Sequence, residues 1–227
     1  MSFSFFTKKA SKEVLNHYES GALKEKKTYV DGKLHGEYIS YYENSQVMLR
    51  QHYDNGLKEG GAESYHRNGQ IKEKGIFHKN KLEGEYISYY DNGQIKEREF
   101  YSKGRLNGPY VCYLRNGQIK EEETFLNGKF HGPYTSYYKS GEVREKGLFQ
   151  NDKREGDLIV YYRNGQIRLK GAYKNDKLIG KFVSYDREGM KIAKDPQTME
   201  DTIQDEETMG EKRKEFDDLL KNFKEFD

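Results

Sequence analysis

Residues able to do chemistry are spread evenly through this chain, and their spacing assembles no familiar catalytic set. The six histidines, His17, His35, His52, His66, His78 and His131, lack the spacing that brings ligands onto one zinc ion. His35 and His131 share a position that Glu59, Glu83, Asn107, Glu155 and Ile179 hold elsewhere, so they read as solvated turn residues. No glycine loop ends in Gly-Lys-Ser/Thr, as a nucleotide phosphate cradle would. Cys112 is the single cysteine, which excludes an internal disulfide framework. Its position is otherwise held by Ser40, Ser64, Ser88, Ser136, Val160 and Ser184, so a small packed side chain is expected. Glu25, Glu73, Glu97, Glu121 and Glu145 form an acidic row beside Lys24, Lys72, Lys96, Lys120 and Arg144. Strand alternation would put the two rows on opposite faces, giving a solvated charged surface. No carboxyl is expected in an apolar setting that would raise its pKa for acid work. These observations predict no enzyme, no metal site and no cofactor.

What the spacing does show is a period of 24 residues. Turn glycines stand at Gly21, Gly69, Gly93, Gly117, Gly141, Gly165 and Gly189, with Ser45 at the one missing step. A second series runs Gly36, Gly60, Gly84, Gly108, Gly132, Gly156 and Gly180. Tyrosines fill Tyr41, Tyr65, Tyr89, Tyr113, Tyr137, Tyr161 and Tyr185 without a gap. A fixed period of this size marks an array of one supersecondary unit.

Within one unit, Glu85–Tyr90 is rich in strand-forming Tyr and Ile. Asp91-Asn92-Gly93-Gln94 reads as a hairpin turn, and Ile95–Tyr101 as the return strand. Ser102–Gly108 forms a second, longer turn. Return strands begin on Leu23, Val47, Ile71, Ile95, Ile119, Val143 and Ile167. They end on Tyr29, Tyr53, Phe77, Tyr101, Phe125, Phe149 and Tyr173. Stacking would place each series in a ladder of neighbouring pairs. Tyr86 and Tyr89 are three apart and would face opposite ways on a flat strand; a bend between them would curve the hairpin and give the array a trough. The expected fold is therefore all-β: an elongated single sheet of about seven and a half 24-residue hairpins.

Composition agrees with a thin structure. Only 33% of residues are apolar and 34% are charged, so units must bury surface mainly against their neighbours. The sequence divides into a head at 1–12, the array at 13–193, and an acidic linker with a C-terminal helix at 194–227. Phe216, Leu219, Leu220 and Phe223 recur at helical spacing, which predicts a short amphipathic helix that caps the array or meets a partner. The net charge of +2 divides into about −7 for residues 195–227 and about +9 for the remainder. No apolar run is long enough for a signal peptide or a membrane span, so a cytoplasmic protein is expected.

The motifs Tyr89-Tyr90-Asp91-Asn92-Gly93-Gln94-Ile95 and Asn127-Gly128-Lys129-Phe130-His131-Gly132 carry a resemblance to MORN repeats. They are most similar to the shorter-motif variant of bacterial YwqK-family antitoxins. The pattern departs where Ser45 replaces the turn glycine, where Ala62-Glu63 replace Tyr-Ile, and where Arg154 and Leu158 enter. The resemblance implies a non-enzymatic interaction scaffold that binds and occludes a partner protein, which for an antitoxin is a toxin. Tyr41, Tyr65, Tyr89, Tyr113, Tyr137 and Tyr161 are the candidate contacts in the trough, with Phe216, Leu219, Leu220 and Phe223 on the tail. The alternative is a membrane-associated or cytoskeletal scaffold touching anionic lipid peripherally. Nucleic acid is not an expected partner, because acidic residues accompany the lysines throughout.

Overall fold

The computed structural model describes residues 10–192. The predicted C-terminal helix, with Phe216, Leu219, Leu220 and Phe223, lies outside these residues, as does most of the head. The described chain is one open antiparallel sheet in which each long strand pairs with the next. The meander continues in the same way to the last pair, Val183–Tyr185 with Lys191–Ile192.

The unit from Gly84 shows why. The outgoing strand is Gly84–Tyr89 and the return strand Ile95–Ser102. Between them, Gly93 N–H donates to Tyr90 O at 2.9 Å and Tyr90 N–H to Gln94 O at 2.8 Å. Only Gly93 takes positive φ (82°); this is a three-residue loop closed by a glycine bulge, not the two-residue Asn-Gly turn. Asn92 serves otherwise: its side chain accepts from Gln94 N–H and donates to Arg115 O of the next unit at 3.0 Å. Ser45 holds φ 67° at the equivalent site, so the loop survives loss of its glycine.

The longer turn proves to be three features in sequence. Lys103 and Gly104 form a two-residue turn with both φ positive (52° and 76°). A two-residue strand, Arg105–Leu106, then pairs back on Tyr101 and Ser102. Finally the chain corners at Gly108 (φ 140°), where an added Cβ would stand 3.0 Å from Phe100 Cβ. Asp31-Gly32, Asn55-Gly56, Lys79-Asn80, Asn127-Gly128, Asn151-Asp152 and Asn175-Asp176 repeat the first feature.

The anticipated bend between Tyr86 and Tyr89 is absent. The outgoing strand is regular, and the irregularity sits opposite it: Ile95 pairs with Tyr89 and Glu97 with Ser88, leaving Lys96 as a bulge. Register shifts recur at the same place in the other repeats. Tyr86 and Tyr89 therefore lie on opposite faces.

One face carries most of the core. Tyr86 meets Tyr101 edge-to-face at 5.9 Å, and Tyr38–Tyr53, Tyr110–Phe125 and Tyr134–Phe149 repeat the contact, while Tyr173–Phe182 makes an edge contact from one unit to the next. The leucines of the two-residue strands fold over the same face. Leu82 and Leu106 join Ala62, Phe77, Tyr86 and Tyr101 in one cluster, and Leu178 packs against Leu158, Val160, Leu169, Tyr173 and Phe182 in another. Ala62 and Leu158, two of the departures from the motif, are thus core residues. Gly75 and Gly171 leave the room this needs: a Cβ at Gly171 would lie 2.5 Å from the Phe182 ring.

Candidate interaction surface

The second face of the sheet carries charge. Glu37–Arg50 (3.1 Å), Glu85–Arg98 (3.2 Å) and Asp157–Lys170 (3.1 Å) pair across its strands. Tyr41, Tyr65, Tyr89, Tyr113, Tyr137 and Tyr161 lie on this face by strand alternation, each half-buried. They do not line a trough with the Tyr86 set, because the regular outgoing strand directs the two sets apart. The Tyr65 hydroxyl donates to Glu63 and the Tyr137 hydroxyl to Glu122 (2.7 Å), while Lys74 Nζ stands 5.8 Å from the Tyr89 ring centre. Partial desolvation, then the Glu122 carboxylate, pushes the Tyr137 hydroxyl up to about 12. At neutral pH the Tyr137 hydroxyl is therefore protonated and uncharged. Ile76 (55% exposed) and Leu148 (43%) add apolar area to this face, which only the alternation of their strands could have revealed.

The acidic row is not a solvated surface. Of its members, Glu97 and Glu121 are buried on the packed face, where Glu99 and Glu123 join them, and Glu25, Glu73 and Glu145 are half-buried. The bulge explains the difference: the extra residue breaks simple alternation, and Lys96 Nζ and Lys72 Nζ approach the neighbouring carboxylates of Glu97 (3.8 Å) and Glu73 (3.6 Å). At these two steps the rows meet. Glu97 accepts from Ser88 Oγ at 3.0 Å on one side and from Tyr110 at 3.3 Å on the other. Glu25 accepts from Tyr38, and Glu73 from Ser64. These carboxylates hold serine and tyrosine in place across strands.

Glu99 overturns the expectation that no carboxyl sits in a setting that raises its pKa. Burial pushes it to about 7, against the lowering hydrogen bond from the Tyr101 hydroxyl. Burial also raises Glu145. Glu99 is only 5% exposed, so its proton has no route to a substrate in this arrangement. Cys112 is buried, as its small-residue position implies.

Two repeat-spanning devices escaped the sequence reading. The second tyrosine of each pair reaches forward one unit: Tyr18 donates to Tyr41 O (2.6 Å), Tyr42 to Tyr65 O, Tyr90 to Tyr113 O (2.8 Å), Tyr138 to Tyr161 O and Tyr162 to Tyr185 O. His66 Nε2 stands 3.0 Å from Tyr89 O in the same role. The doubled tyrosine of the motif was its signal. The position shared by His35 and His131 is the other device. Glu59, Glu83, Asn107 and Glu155 there accept the backbone N–H of Lys79, Lys103, Asn127 and Asn175 in the next unit. Free side-chain choice at that position reflects an acceptor role that Glu and Asn share, so solvation alone does not describe it.

Six segments, 34–55, 58–80, 82–103, 106–127, 130–151 and 154–175, match the MORN repeat variant family. Among curated proteins, none matches the chain. Three solved structures are similar over most of it. A TcdB2-TccC3-Cdc42 structure shows 12% identity and a TM-score of 0.18 over 78% of this chain, which spans only 13% of that one. A porin-like protein from Bacteroides uniformis ATCC 8492 shows 9% and 0.20, covering 82% of this chain and 94% of its own. A protein of unknown function from Bacteroides fragilis NCTC 9343 shows 13% and 0.14, covering 80% and 96%.

Proposed function

We propose that this chain, which belongs to the MORN repeat variant family, is a non-enzymatic scaffold that binds a partner protein and covers its active or docking surface, as an antitoxin would. The observation that carries the reading is the half-buried tyrosine ladder on the charged face, spaced by the repeat and flanked by ion pairs. Tyrosine offers large contact area at low entropy cost, and paired charges around it favour register over indiscriminate adhesion. The packed face cannot serve, because its aromatic residues are consumed by the core.

The test is capture from the native cell with the full-length chain and with Tyr89→Ser/Tyr113→Ser/Tyr137→Ser. A single protein held at near-equal amount, inhibited when bound and released by the tyrosine changes, supports the proposal. Equal capture by both chains, or a captured protein whose activity is unchanged, counts against it.

A further inference from the structure

The hairpin-loop edge of the last repeats gathers arginines. Arg163, Arg168 and Arg187 line an open cleft of about 890 Å³ with Tyr138, Tyr162 and Asn164. Arg163 lies 5.4 Å from the Tyr138 ring centre, and Arg168 and Arg187 each 5.9 Å from that of Tyr162. Stacking on a ring face leaves the guanidinium N–H edge free for an anion. The cleft's geometry follows from the repeat. The tyrosines that hydrogen-bond forward to Tyr161 and Tyr185 are fixed in place; Arg163 and Arg187 of the following units settle over Tyr138 and Tyr162, and Arg168 of the same hairpin joins Arg187 over Tyr162. Among the described residues none of the three arginines is ion-paired. The nearby carboxylates are otherwise engaged. Asp186 Oδ1 accepts the N–H of Glu188 and Met190. Glu142 is held low first by Ser140 and its own backbone, with Arg163 a smaller influence.

The chain itself supplies a complementary segment. Residues 195–207 carry Asp195, Glu200, Asp201, Asp205, Glu206 and Glu207, with no lysine or arginine. The last described pair is Ser184 with Ile192, two residues from the Asp186–Met190 loop at this same edge. Thirteen extended residues reach roughly 40 Å, against about 20 Å for the four strand spacings of two repeats. We propose that this acidic segment docks in the arginine cleft of its own array, so that any other anion must displace it. The proposal does not rest on the side chains of the tyrosine ladder: Tyr138 and Tyr162, which line the cleft, are the residues that follow Tyr137 and Tyr161 at the loop edge.

The test uses the full chain and a glutamate-specific protease that cuts after Glu200 and Glu206. Cleavage at both sites is expected to be at least about fivefold slower at low salt than at about 0.5 M salt, because screening weakens exposed charge pairs. Arg163→Glu/Arg168→Glu/Arg187→Glu should abolish the protection. So should Asp195→Asn/Asp201→Asn/Asp205→Asn/Glu207→Gln, which leaves the array and both cut sites untouched and decides the matter if the arginine variant fails to fold. Protection that survives the tail changes would overturn the proposal. So would protection that appears only as protein concentration rises, which would assign the contact to a second copy. Vesicles rich in phosphatidylserine should bind the tail variant more tightly than the wild type; equal binding would show the cleft to be empty.

Discussion

Burial of charge is the main tension at the residue scale. Glu99 carries a carboxyl inside an aromatic packed face, and burial keeps it protonated up to about 7. The unfolded carboxyl titrates near its ordinary 4.5, so the folded value is raised. Its contribution to stability is complete below the unfolded value and is lost as pH rises through about 7. Glu99→Gln keeps an acceptor for the Tyr101 hydroxyl and removes the titration. We expect the variant to gain on the order of 1–3 kcal/mol over the wild type at pH 8 relative to pH 4. Urea unfolding at the two pH values checks this; a difference that does not change with pH would show that Glu99 is solvated.

Turns and forward hydrogen bonds set behaviour at the scale of the element. Lys103 holds φ 52° before Gly104, a backbone state that asparagine tolerates better. Lys103→Asn leaves the backbone N–H that donates to Glu83 and should stabilise the repeat by about 0.5 kcal/mol, read as a higher midpoint of urea unfolding. The opposite sign is expected at Tyr90. Its hydroxyl satisfies Tyr113 O in the next unit, so Tyr90→Phe should cost about 1 kcal/mol. Leu114 stands where the next such tyrosine would be, which makes the step from that unit to the following one a place where this ladder is interrupted. Faster amide exchange in Gly108–Tyr113 and Ile119–Leu126 of the Tyr90→Phe chain is the corresponding local readout.

The molecule as a whole is quasi-one-dimensional, because each strand touches only its neighbours and the core divides into separate clusters. Damage should therefore stay near its source. Leu169 is 3% exposed within the cluster formed with Leu158, Val160, Tyr173 and Phe182. Leu169→Ala should cost about 2–4 kcal/mol in the C-terminal repeats. Hydrogen exchange should then rise across Gly156–Tyr161 and Ile167–Lys174 while Gly84–Tyr89 keeps its protection. Uniform loss of protection would show that the array unfolds as a single cooperative block.

The architecture was legible because it rests on local rules repeated in phase. The glycine period marked the loops, the alternation marked the strands, and the family motif follows from both. Cys112 was placed correctly because the residues at its equivalent positions are small. Three matters could not be read in one dimension. The bulge adds a residue opposite a regular strand, and at Lys72 and Lys96 the ammonium approaches the carboxylate of Glu73 and Glu97. The burial of Glu97 and Glu99 on the packed face depends on which segments assemble there, and a carboxylate in the sequence gives no sign of it. The partition of tyrosines into a core set and a surface set needs strand alternation to hold over the whole outgoing strand, where a bend would have merged them. Period and residue type determine the unit from sequence alone. The face each side chain meets depends on how strands register, and that is settled only when the sheet assembles.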